Sequence, residues 1–142
     1  MERVRIRRVH DPVDPDDGYR VLVDRLWPRG VKKSTLALHA WEKSIAPSAD
    51  LRRWFAHDPC RWRAFCRRYQ AELDAAPEAF GRLLGYARHG CLTLLTATRD
   101  VEHSHAVVLR DLLAAERAEE ERPGERASPV CFAPDEPGAD PD

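Results

Sequence analysis

The stretch Cys91-Leu-Thr-Leu-Leu-Thr-Ala97 constrains what this chain can fold into more than any other, because it is nearly all apolar and carries no charge. A strand with no wet face belongs at the centre of a parallel sheet covered on both sides. Parallel neighbours need crossover connections, and the segments before and after this one read as helices. The expectation is therefore an α/β domain, a parallel or mixed sheet with helices on both faces.

The rest of the chain can be laid around that strand. Val4 to Val9 alternates Val4 and Ile6 with Arg5 and Arg7, the period of a strand with one wet face and a place nearer an edge. His10 to Gly18 holds two prolines, four aspartates and a glycine in nine residues, which suits a loop. Tyr19 to Val23 is a short buried strand running into a charged turn, Asp24-Arg-Leu-Trp-Pro-Arg-Gly30. Val31 to Ala46 is ambiguous, since Leu36, Leu38 and Trp41 fit a short strand, a helix or an extended crossing.

Helices are better signalled from Ser48 onward. Ser48 can cap one that carries Leu51, Trp54 and Phe55 and stops near His57. Asp58 can cap a second with Pro59 at its first position and Trp62, Phe65, Cys66, Tyr69 and Leu73 at three- and four-residue spacing. A third spans about Pro77 to His89, closed by Gly90. After the turn Thr98-Arg-Asp100, Asp100 can cap a last helix whose inward stripe is Val101, His105, Val108, Leu109, Leu112 and Leu113.

A length of 142 residues fits one domain. The formal charge of -1 conceals an asymmetry: from Glu116 onward nine acidic residues face three basic ones, which leaves the preceding part net basic. Residues 118–142 are proline-rich and acidic, with almost no apolar content after Val130 to Phe132, and are expected to be a disordered tail behind a domain of residues 1–117. No apolar run reaches the roughly 18 residues of a membrane span and the start lacks a secretory h-region, so a cytoplasmic protein is expected, without membrane partners. Cys60, Cys66, Cys91 and Cys131 show no C-x-x-C and read as free thiols.

In such sheets ligands bind beyond the carboxyl ends of the strands, where polar turns meet helix N-termini. Two turns qualify. One supplies Asp24, Arg25 and Arg29; the other supplies Thr96, Thr98, Arg99, Asp100, His103 and His105. If both strands run the same way, these groups converge. Asp24 and Arg25 are then either a structural ion pair or kept for a ligand, and His105 either holds a strand-end carbonyl or serves chemistry. His103 and His105 project to different helix faces, so no metal site is assigned. No phosphate-binding loop, dinucleotide fingerprint or Gly-x-Ser-x-Gly occurs, and the sequence names no cofactor.

Five motifs stand out: Asp17-Gly-Tyr-Arg-Val-Leu-Val-Asp-Arg-Leu-Trp-Pro-Arg-Gly30, Ala46-Pro-Ser48, Trp54-Phe-Ala-His-Asp58, Thr93-Leu-Leu-Thr-Ala-Thr-Arg-Asp100 and His103-Ser-His-Ala-Val-Val-Leu109. Through them the chain resembles the YeaO-like branch of a bacterial and archaeal family of unknown function. The likeness covers Val4 to about Leu113 and implies a compact α/β domain, with no established activity attached. More distant relatives carry Cys-His-Arg after the equivalent strand; the matching triplet here is Ser104-His105-Ala106, which keeps the histidine and lacks the thiol.

Two functions fit these features. In the first the domain binds or acts on a small anion such as a phosphate, nucleotide or carboxylate. Arg25, Arg29 and Arg99 hold it with Thr98 and His103 nearby, His105 is the acid or base, and Asp24 or Asp100 orients that ring. In the second the domain is a nucleic-acid or protein interaction module using the basic helical faces around Arg52 to Arg68.

Overall fold

A computed structural model describes residues 4–121. Four parallel strands form one sheet in the order β1-β4-β2-β3, with β1 at Val4–Arg8, β2 at Tyr19–Leu22, β3 at Ala40–Trp41 and β4 at Leu92–Thr96. β4 is paired on both sides, in register Val4↔Leu92 with β1 and Tyr19↔Leu92 with β2, and every one of its residues is buried. Its uncharged sequence is what that central position demands. β1 takes an edge, where its three arginines can reach water.

The helices are α1 (Lys33–Leu36), α2 (Ala49–Phe55), α3 (Trp62–Ala75), α4 (Pro77–His89) and α5 (His105–Glu121). Side chains alternate across the sheet. Val21, Val23, Leu92 and Leu94 point into the larger core with α2 to α5, packed against Phe55, Phe65, Tyr69, Leu83 and Leu109. Leu22 and Leu95 point the other way, into a small cluster with Val9 and Leu36 that α1, Trp41 of β3 and the loops carrying Trp27, Val31 and Leu38 cover. Both faces are covered, but one carries four helices and the other a single helical turn.

Caps fix the helix starts. Ser48 Oγ accepts from the Leu51 N–H, and Ser48 itself is held by Glu72 of α3, which accepts from its N–H at 2.9 Å and its hydroxyl at 2.5 Å. Asp58 caps a 3-10 turn at Pro59–Arg61 that feeds α3. Asp100 does not cap the last helix. Its carboxylate turns to His103 Nδ1 at 3.0 Å, a 3-10 turn fills Val101–His103, and α5 begins only at His105. α5 then runs through Glu121, four residues past the expected domain boundary; the rest of the tail and Cys131 lie outside the described residues. Cys60, Cys66 and Cys91 are free.

The loop before β2 conceals the main polar anchor of the fold. Asp17 is 1% exposed, yet its carboxylate accepts from Arg5 Nη2 at 2.9 Å, from Arg20 Nη1 at 2.5 Å and from the Asp14 N–H at 3.1 Å. Burial pushes this carboxyl up, but the Asp14 backbone bond and the Arg20 and Arg7 guanidinium groups together bring it below the usual value. Arg20, also buried, spends its other donors on the Leu36 and Ala37 carbonyls at the end of α1. One buried carboxylate thus joins β1, the start of β2 and the thin cover. Gly18 follows with φ +67°, its backbone so close to the Cys91 carbonyl that an added Cβ would stand 2.3 Å from that oxygen.

Candidate functional site

β2 and β4 run in parallel, so the turns that follow them leave the sheet side by side. Asp24 joins them. Thr96 Oγ1 donates to its Oδ1 at 2.7 Å and the Ala97 N–H donates to its Oδ2 at 2.8 Å, while its own carbonyl accepts from Trp41 Nε1 at 2.8 Å. Both carboxylate oxygens are therefore engaged in closing the strand ends together. Arg8 of β1 completes the arrangement, donating to the Thr98 carbonyl at 3.1 Å.

His105, the first residue of α5, stands over this junction. Its Nε2 donates to the Val23 carbonyl at 2.9 Å and lies 3.5 Å from Asp24 Oδ1. A carbonyl only accepts, so Nε2 bears the hydrogen and Nδ1 of the neutral ring carries the lone pair. Burial lowers the His105 pKa and the charge of Arg52 lowers it further, against the opposing pull of Asp24 and the Val23 bond. The ring of Tyr69 meets it edge to face at 6.0 Å, and the Tyr69 hydroxyl is spent on the Ile45 carbonyl.

A cavity of about 690 Å³ opens above these groups. Asp24, Arg25, Arg29, Thr98, His103 and His105 line it, so the two turns do converge. Arg99 and Asp100 do not: both are exposed, and Asp100 is engaged with His103 rather than His105. Of the two carboxylates only Asp24 lies beside His105, 3.5 Å from Nε2. Arg25 makes no ion pair with it and donates instead to the Pro47 carbonyl at 3.2 Å.

Five lining residues come from α2 and its end, and three of them, Arg52, Arg53 and His57, are basic side chains. Their sequence reads as a solvated basic flank. The available signal was spacing, since Arg52 lies three residues before the buried Phe55 and shares its side of the helix. His57 reaches the wall because Ala56 and His57 both adopt left-handed backbone, φ 45° and 56°, which turns the chain sharply after α2. Arg53 pairs with Asp50, whereas Arg29 and Arg52 have no carboxylate partner among the described residues. Asp24 is the one acid in the described lining.

The basic stretch around Arg52 to Arg68 offers little bare aromatic surface. Arg61 and Arg68 lie over the Trp54 ring, Trp62 stacks on Phe65, and Tyr69 is fully buried. Among the described residues no group of three or more His, Cys, Asp or Glu side chains gathers as a metal site, and no helix is long and apolar enough to cross a membrane.

The family model of the inactive DUF488-N3 subclade matches residues 3–133. The chain belongs to that subclade. An uncharacterised protein of Mycobacterium tuberculosis strain H37Rv is 48% identical over 112 residues, covering 78% of this chain and 93% of the relative. An uncharacterised Mycobacterium bovis protein matches to the same extent. The uncharacterised protein YeaO of Escherichia coli is 44% identical over 110 residues, covering 78% of this chain and 96% of YeaO. No solved structure matches this DUF488-N3 chain.

Proposed function

We propose that this domain binds a small anionic ligand, a phosphate, nucleotide or carboxylate, in the cavity beyond β2 and β4, and that it acts by binding rather than by thiol-dependent turnover. The observation that carries this reading is the charge balance of the cavity. Four arginines and three histidines line it, and the single facing carboxylate has both oxygens engaged by Thr96 and Ala97. Arg29 and Arg52, unpaired, are free to take an incoming anion with charge-assisted hydrogen bonds. The N-terminus of α5 adds the favourable potential of the helix dipole. Ser104, on the cavity wall where more distant relatives carry cysteine, donates to the Val101 carbonyl and offers no thiolate. The description of the subclade as inactive supports the same role.

Within this reading Arg25, Arg29 and Arg52 hold the anion, Thr98 and His103 flank it, and His105 lines the floor with Asp24 fixing the strand ends beneath. The test is a thermal-shift series with inorganic phosphate, nucleoside monophosphates and dicarboxylates on wild type, the pair Arg29→Ala/Arg52→Ala, and Arg63→Ala outside the cavity. A ligand at a hundred times its dissociation constant adds about 2.7 kcal/mol of stability. The expected result is a shift in wild type and Arg63→Ala that the paired substitution abolishes. An equal shift in all three, or a shift produced by oligonucleotides alone and erased by salt, refutes it.

A further inference from the structure

The cavity is larger and more apolar than a bare anion requires. Its volume of about 690 Å³ lies within the range of sites for drug-sized ligands, roughly 300–1,000 Å³. Beside the arginines its wall includes Leu26, Trp27, Pro28, Phe55 and Phe65. Leu26 is the unusual member. It is 70% exposed, and only Val13 among the described residues joins it as an exposed large hydrophobic side chain. One exposed leucine is ordinary on a protein surface; this one sits between the cavity's Arg25 and Arg29 on a turn that is tied down on either side of it. Arg25 is held by the Pro47 carbonyl, and Trp27 donates to the Val31 carbonyl at 2.7 Å and packs edge-on against Trp41 at 5.3 Å. The neighbours are anchored to the protein while Leu26 is left facing outward, on the wall of a cationic cavity.

We infer that the cavity takes an anion carried on a flat apolar body, an aromatic phosphate or carboxylate, rather than a free inorganic ion. This rests on the anion-binding reading above and names its ligand class. The arginines neutralise the head group, and Leu26 with Pro28 and Phe55 removes the apolar body from water.

The discriminating measurement is calorimetric titration of the full chain with inorganic phosphate, phenyl phosphate and 1-naphthyl phosphate, on wild type and Leu26→Ser. A side chain this exposed can be changed without loss of the fold, and an unchanged unliganded melting temperature checks that. Burial of the rings predicts that 1-naphthyl phosphate binds at least about tenfold tighter than inorganic phosphate, with phenyl phosphate between them. Leu26→Ser should narrow that margin by about threefold or more. Equal affinities for the three probes in wild type leave the anion site standing and overturn the aromatic class, as does a margin that Leu26→Ser leaves intact. Absence of binding by every probe overturns the anion-binding reading, and this inference with it.

Discussion

Replacing Asp17 by alanine should be among the most damaging single changes this chain can suffer outside its apolar core. The substitution leaves Arg20 as a buried charge, with its remaining donors on the Leu36 and Ala37 carbonyls and no carboxylate to offset the cost of desolvation. Breaking a buried ion pair by removing one partner costs about 3–5 kcal/mol, roughly a fifth or more of the 5–15 kcal/mol typical of a whole domain. The Asp14 N–H loses its acceptor as well. For a domain of this size the corresponding fall in melting temperature is about 10–20 °C. Urea unfolding followed by tryptophan fluorescence measures it, with Trp27 and Trp41 lying on the face that the pair holds in place. Arg20→Met in the Asp17→Ala background should restore part of the loss, giving a coupling energy of about 2 kcal/mol. The pH dependence has a definite sign. A carboxyl held below its unfolded value near 3.8 contributes stability that is complete above that pH and is lost as pH falls through the folded value. An Asp17→Ala cost below about 1 kcal/mol with an unchanged urea slope would refute the account of the pair as the anchor of β2 and α1.

Two further predictions follow from single positions. Gly18→Ala should cost about 3 kcal/mol or more, from its positive φ and from a Cβ set against the Cys91 carbonyl, whereas Gly81→Ala, in open space on α4, should stabilise by about 0.5–1 kcal/mol; chemical denaturation of both variants compares them. His105, buried with its pKa lowered, binds its proton more weakly folded than unfolded, so stability should fall as pH drops below the unfolded value of 6.5. His105→Gln should flatten that slope, and an unchanged slope between pH 7 and 5 counts against the burial of a neutral ring.

The legible parts of the fold were those whose periodicity and packing agree. β4 could be placed at the sheet centre because a buried parallel strand has no wet face to encode, and the caps at Ser48 and Asp58 act within three residues of themselves. Val31 to Ala46 resisted assignment for the opposite reason. α1 is four residues long and β3 two, so tertiary contacts such as Arg20 to the Leu36 carbonyl define them. Asp100 looked like a cap because it precedes an apolar stripe, but a short 3-10 turn intervenes and gives its carboxylate a nearer donor in His103. The two turns of the candidate site could be brought together from strand direction alone. Arg52 and His57 could not, because their place depends on how α2 lies across the sheet end. The Asp17–Arg20 pair was hidden by its residue types, since an aspartate in a proline-rich loop and an arginine in a strand both read as solvent-facing until the fold closes over them.

The unequal dressing of the sheet has a consequence for where the cavity can open. Local opening is easiest where few apolar contacts must be broken. On the α1 side the buried cluster holds only Val9, Leu22, Leu36 and Leu95, and its partly buried neighbour Trp27 sits in the turn that also walls the cavity. The floor, by contrast, is Asp24 locked to Thr96 and Ala97 beneath His105. The base beneath His105 is therefore the stiffer part of the cavity, and the turn from Leu26 to Gly30, backed only by the smaller cluster, is where local opening should break the fewest apolar contacts.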